Sequence, residues 1–174
     1  MREIVLDLGC GKRKAAGSIG IDSVKVEGVD IVADLNQGIP VKSNTADKVI
    51  ASNIIEHLQD LVKIMEEIHR VAKPNAIVEV EVPYYASHYA FCDPTHKQFF
   101  TWKTLDYFTE KEPYVYYSKA RFEILEKKFH SLGRGRIFKD SIDALATRFP
   151  TVYERFLNSF LKIDTLRIKL KVVK

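Results

Sequence analysis

Short apolar runs separated by turn formers dominate the first third of the chain. Residues 3 to 8 (EIVLDL), 18 to 22 (SIGID), 29 to 35 (VDIVADL) and 46 to 52 (ADKVIAS) read as four strands. The pattern then changes period. Leu58, Leu61, Met65, Ile68 and Ala72 recur at three- and four-residue steps, with Val62 widening the stripe, which predicts an amphipathic helix. Asp60 suits its first turn, and Lys73-Pro74-Asn75 stops it, because proline cannot continue the hydrogen-bond ladder. A fifth strand is expected at 76 to 85 (AIVEVEVPYY), a short helix at 101 to 109 (TWKTLDYFT) and a sixth strand at 121 to 130 (RFEILEKKFH). Two short helical patterns, about 140 to 148 and 150 to 160, precede a closing strand, TLRIKLKVVK. That strand alternates: Leu166, Ile168, Leu170 and Val172 on one face, Arg167, Lys169 and Lys171 on the other. Such alternation fits an antiparallel strand with one solvated face. Strands alternating with helices imply an α/β sheet that is mostly parallel.

Composition narrows the class without naming a function. The chain has 174 residues, 46% hydrophobic and 29% charged, which is ordinary for one globular domain, here taken as 1–174. No apolar run approaches the ~18 to 20 residues of a membrane span. The chain passes from Met1-Arg2-Glu3 straight into an apolar strand with no signal-peptide pattern, so a cytoplasmic protein is expected. Two cysteines, Cys10 and Cys92, make no disulfide framework and no CxxC. A net charge of +4 is mild, so nucleic acid is not an expected partner. Nothing in the pattern sets the oligomeric state.

Chemistry concentrates where the first strands end. In an open α/β sheet, ligands bind beyond the carboxyl ends of the strands. Gly9-Cys10-Gly11 follows the first strand, and glycines there let a ligand approach the backbone with no Cβ in the way. Asp22 ends the second strand and can accept from both hydroxyls of a ribose; Asp34 ends the third, placed for an exocyclic adenine amine. Only seven residues separate Gly11 from Ile19, whereas a crossover with a packed helix needs about ten or more. The gap from Ser23 to Val29 is as short, so the first two crossover helices should be reduced or absent. Without that helix start, Lys12 or Arg13 could neutralise a ligand carboxylate. A dinucleotide is disfavoured: Lys14 stands where its third glycine belongs, and a pyrophosphate would have no helix N-terminus.

These residues resemble the class I S-adenosylmethionine-dependent methyltransferases, in particular the short ubiquinone- and menaquinone-biosynthesis-like (type 11) branch. The resemblance rests on VLDLGCG (5–11), IGID (19–22), VADL (32–35), ADKVIASNIIEHLQD (46–60), IMEEIHRVAKPNAIVEVEVP (64–83) and the closing LRIKLKVVK, almost the whole chain. It implies a Rossmann-like, doubly wound sheet of about seven strands in the order 3-2-1-4-5-7-6 with the last strand antiparallel. The cofactor would be S-adenosylmethionine, with S-adenosylhomocysteine as product. By position, Asp7, Gly9, Cys10 and Gly11 would surround its methionine part with Lys12 near the carboxylate. Asp22 and Ser23 would meet the ribose, Asp34 and Leu35 the adenine, and Asn53 and His57 would line the pocket at the end of strand four. Two positions depart from the family pattern. Arg13 replaces its third glycine, and Pro74-Asn75-Ala76 replaces Pro-Gly-Gly, Asn being tolerant of the left-handed turn.

The acceptor side should lie in an aromatic segment, 84–120, which holds seven of the eight tyrosines. Its centre reads YYASHYAFCDPTHKQFFT (84–101). Methyl transfer is an in-line displacement, so the enzyme chiefly positions two reactants and excludes water. A general base matters when the nucleophile carries a proton, and His96 and His88 are the candidates, with Asp93 to orient one of them. The competing reading makes Asp93-Pro94-Thr95-His96 a structural turn. A metal held by His88, Asp93 and His96 has too few firm ligands, and no metal is expected. The expected function is therefore methylation of a small-molecule acceptor. The alternative is a cofactor-binding partner or regulator that has lost catalysis.

Overall fold

The computed structural model describes residues 3–110, 115–132 and 136–174. Residues 111–114 of the aromatic segment, Tyr114 among them, lie outside the described residues, as do Met1 and Arg2. Seven strands form one sheet in the order β3-β2-β1-β4-β5-β7-β6. They are β1 (Val5–Leu8), β2 (Ile19–Asp22), β3 (Ile31–Val32), β4 (Ala46–Ser52), β5 (Ala72–Pro83), β6 (Phe122–His130) and β7 (Thr165–Val172). The first five run parallel, and β7 is antiparallel to both β5 and β6. Strand order and direction match the Rossmann-like expectation.

Register puts the apolar residues on one face. Val49 of β4 stands between Leu6 and Val78, and Ala51 between Leu8 and Val80. Across β5 and β7, Val78, Val80 and Val82 oppose Leu170, Ile168 and Leu166, and Phe129 of β6 continues the last row. All of these are buried. Helix α1 (Leu61–Val71) supplies Ile64, Met65, Ile68 and Val71 to the same core. Its N-cap is Asp60, whose carboxylate accepts from the Lys63 N–H at 2.9 Å, so Leu58 is core residue rather than helix. The helix stops at Val71, and Ala72 already pairs with Ala46 in the sheet. Asn75 takes a left-handed φ of 63° inside a register shift of β5, four residues past the helix end rather than at its cap.

The opposite face carries charge. Lys48 pairs with Glu79 at 2.7 Å, Arg167 with Glu81 at 3.0 Å, and Lys171 with Glu123. The basic stripe of β7 therefore meets acidic rows on both neighbouring strands. Among the described residues no helix connects β1 to β2 or β2 to β3; both connections are turns and bends. Short spacing alone accounts for this. Gly20 makes the substitute packing possible: a Cβ there would lie 2.6 Å from Cys10 Sγ and 2.7 Å from Lys14 Cδ. The loop after β1 thus lies directly on β2.

Two expectations shift at the edges. The third strand shrinks to Ile31–Val32, with a flanking aspartate on each side whose carboxylate is held by local partners. Asp30 Oδ2 accepts the Gly20 N–H at 2.7 Å and pairs with Lys14 at 2.9 Å. Asp34 Oδ1 accepts from both nitrogens of Asn36 at 2.9 Å. The segment at 101–109 is a 3₁₀ helix over Thr104–Phe108, and α2 spans Arg136–Arg148. A turn of helix at Pro150–Val152 runs into a π turn at Tyr153–Leu157.

Candidate active site

At the carboxyl end of β1, the Gly9 N–H donates to the Ile21 carbonyl at 2.8 Å while φ takes +64°. A side chain there is excluded twice, since a Cβ would come within 2.4 Å of Ile54 Cγ1. The residues just after β4 therefore press against the glycine turn. Gly11 donates its N–H to Asp22 Oδ2 at 2.9 Å, and Val24 donates to Asp22 Oδ1 at 3.1 Å. Each carboxylate oxygen spends one lone pair on the turn and keeps another, so Asp22 both shapes the loop and can accept from a ribose. Ser23 beside it is exposed.

Asp7 is buried and takes the Ala15 N–H on Oδ2 at 2.7 Å, which ties the loop to the sheet. Burial raises its carboxyl above the usual range, outweighing that bond and the nearby Lys14. Cys10 is buried with its thiol pushed up, again by burial first, the opposite of an activated nucleophile. Lys14 is committed to Asp30, whereas Lys12 and Arg13 are exposed and make no ion pair among the described residues. Asp34 is exposed at the mouth and held below the usual carboxylate range by the Asn36 hydrogen bonds; Leu35 beside it is buried. Asn53 adopts φ 50° at the end of β4, where its N–H donates to the Glu81 carbonyl at 2.8 Å. Bare glycines, a ribose-competent carboxylate and an exposed acid just past the next strand fit S-adenosylmethionine.

The turn after β4, Ile55–His57, joins this rim to the aromatic segment. The Glu56 carbonyl accepts from the Lys97 and Gln98 N–H groups at 2.7 and 3.0 Å, binding the two segments side by side. His57 and His96 consequently meet edge to face, ring centroids 4.6 Å apart. Asp93 does not reach His96 or His88. It accepts the Thr95 hydroxyl at 2.6 Å and the Thr95 N–H at 2.8 Å, and Thr95 Oγ1 lies 2.9 Å from His57 Nδ1. His96 Nδ1 sits 3.0 Å from the Ala90 carbonyl. Glu56 is the residue that sequence reasoning missed. It is 1% exposed, and neither carboxylate oxygen has a hydrogen-bond partner among the described residues. Burial, with added repulsion from Asp93 and Glu81, raises its carboxyl to about 7. Burial and His96 together lower the His57 imidazole.

His88 stands apart, on a short turn packed against Tyr89 at 4.0 Å between centroids. It helps line an open cleft of about 460 Å³ between residues 85–91 and 158–164. Tyr85 reaches that cleft and accepts from Asn158 Nδ2 at 3.0 Å. The aromatic segment divides: Tyr84, Phe100 and Phe108 are core, while Phe91 and Phe99 stack at 4.7 Å and stay exposed.

Comparison with known proteins bears on the family and the fold. A family model described as a methyltransferase domain matches residues 2–119. None of the curated proteins matches the chain. Among solved structures, an S-adenosylmethionine-dependent methyltransferase from Archaeoglobus fulgidus is 20% identical with a TM-score of 0.60, covering 97% of this chain and 86% of its own. One from Mesorhizobium loti is 14% identical at a TM-score of 0.59, covering 97% and 90%. Phosphoethanolamine N-methyltransferase 2 of Haemonchus contortus, solved with S-adenosylmethionine, is 14% identical at 0.58, covering 98% of this chain and 48% of its own. The matched family and the shared strand order, together with the glycine turn flanked by strand-end acids, lead to one assignment: the chain belongs to the methyltransferase-domain family of class I fold, with S-adenosylmethionine as its cofactor.

Proposed function

We propose that the protein transfers the methyl group of S-adenosylmethionine to a small-molecule acceptor, and that it falls in the ubiquinone- and menaquinone-biosynthesis-like branch as a single domain. The observation that supports this most is the convergence of two clusters at one end of the sheet. The glycine turn with Asp22 and Asp34 would hold the cofactor, and the Glu56, His57 and His96 group sits one turn away, past Ile54. In the transfer, the acceptor's nucleophilic atom bonds to the methyl carbon as the carbon–sulfur bond breaks and its electron pair stays on sulfur. S-adenosylhomocysteine leaves. Little covalent work falls to the protein, so orientation and exclusion of water dominate. An acceptor hydroxyl would in addition need to lose its proton, a step that the Glu56, His57 and His96 group would assist.

A small acceptor is favoured over nucleic acid because the basic stripe of β7, Arg167, Lys169 and Lys171, faces the carboxylates of Glu81, Glu79 and Glu123. Little net positive field is left on that face to collect phosphates. The test is production of S-adenosylhomocysteine from S-adenosylmethionine across a panel of hydroxyl, amine and carbon acceptors. Tight cofactor binding with no turnover on any of them would favour the regulator instead.

A further inference from the structure

We infer that Glu56, His57 and His96 form a binding site for one divalent first-row cation, zinc or manganese in class, at the cofactor mouth. Their ligand atoms all lie within 4.8 Å of one another. A tetrahedral zinc with bonds of about 2.0 to 2.2 Å holds its donors roughly 3.3 Å apart, so a closure of about 1.5 Å or less completes the set.

The hydrogen bonds around the cluster decide which ring nitrogens carry the protons. The Thr95 hydroxyl gives its hydrogen to Asp93, so Thr95 Oγ1 must accept from His57 Nδ1–H. His96 Nδ1–H likewise donates to the Ala90 carbonyl. Both imidazoles are thereby fixed with a bare Nε2, the arrangement that metal-bound histidines show when a carbonyl or a carboxylate relay holds the other nitrogen. Facing them is a carboxylate with both oxygens buried and, among the described residues, unpartnered. A carboxylate orphaned in this way costs free energy unless something positive meets it. A cation held by two imidazoles and one carboxylate answers that need and keeps coordination positions open.

Those positions suit an acceptor oxygen. Held by Glu56, His57 and His96, the cation would supply Lewis acidity that eases loss of an acceptor hydroxyl's proton to water before the oxygen takes the methyl group and the bond pair stays on sulfur. This catalytic role rests on the methyltransferase reading; cation binding does not.

The experiment uses the full chain stripped with a chelator, then titrated separately with zinc and with manganese by calorimetry, beside a titration with S-adenosylmethionine. The wild type should take up one equivalent and gain melting temperature with it. Glu56→Gln, nearly isosteric, should lose at least the roughly 10- to 100-fold in affinity that removing a mere orienting partner costs, and Thr95→Val should lose a similar amount through His57. Both should still bind S-adenosylmethionine. Absence of a stoichiometric site in the wild type, or wild-type cation affinity in folded Glu56→Gln, overturns the site. Intact cation binding beside absent cofactor binding leaves the site standing and overturns the methyltransferase reading instead.

Discussion

Replacing Asp22 by alanine separates the cofactor role of this residue from its structural one. Two backbone N–H groups lose an acceptor, those of Gly11 at 2.9 Å and Val24 at 3.1 Å. Val24 is 61% exposed and Gly11 partly so, which lets water replace the carboxylate. The folding cost should therefore stay near the ordinary net worth of a hydrogen bond, about 0.5 to 1.5 kcal/mol. Binding should suffer more. A ribose hydroxyl donating to a charged acceptor contributes about 1.5 to 3 kcal/mol, which converts to roughly 10- to 150-fold in dissociation constant. Asp22→Asn keeps one oxygen acceptor for the turn and should fall between. Calorimetric titration with S-adenosylmethionine, paired with a thermal melt of each variant, reads both quantities. If Asp22→Ala is folded and binds the cofactor as tightly as the wild type, the pocket has been placed wrongly.

Four further outcomes follow from the same geometry. His96→Ala should leave cofactor affinity nearly unchanged while slowing turnover by about 10² to 10⁴, the usual worth of assistance to proton loss from the acceptor, here given through the cation that His96 would hold; a parallel fall in melting temperature and cofactor affinity would mark a structural turn instead. Gly9→Ala forces a Cβ into Ile54 at 2.4 Å and strains a left-handed φ, so we expect a loss of about 1 to 3 kcal/mol by denaturant titration. Glu67 is held below the usual carboxylate range by Arg70, whose Nε lies 2.7 Å away, and it also takes the Ile39 N–H at 2.8 Å. A depressed carboxyl stabilises the fold above its unfolded pKa and loses that contribution as pH falls through the folded value, so Glu67→Gln should cost stability near pH 7 and little in acid. Arg167→Ala, which breaks an exposed pair with Glu81, should change stability by less than about 1 kcal/mol, with the difference shrinking in high salt.

Much of the fold was legible because it follows local rules. The pattern at 46–52 predicts β4 with its observed bounds, Ala46–Ser52, since an apolar run there is closed by turn formers at both ends. The absence of crossover helices came from counting residues between Gly11 and Ile19. What failed was competition for side chains. The carboxylates of Asp30 and Asp34 are engaged by Gly20, Lys14 and Asn36 beside a β3 only two residues long, which no sequence period shows. Leu58 keeps the helical period yet precedes the Asp60 cap. Glu56 was passed over for a different reason. Its chemistry depends on hydrogen bonds from residues 97 and 98 to its own carbonyl, which bring His96 alongside. An acid next to a histidine just past strand four, with Asp-Pro-Thr-His downstream, was the available signal.

The charged sheet face makes this fold's response to heat unlike that of a sheet wrapped on both sides. Where helices would bury apolar surface, Lys48–Glu79 at 2.7 Å and Arg167–Glu81 at 3.0 Å sit on one continuous surface, and Lys169 reaches Glu79 at 3.9 Å. The hydration of charged groups becomes less favourable as temperature rises, so bringing them together costs progressively less, while the gain from apolar contact levels off. A linked row of pairs thus holds its value, or improves, over the range in which an oily interface stops improving. On warming, the thin side of this sheet becomes the side that loses least.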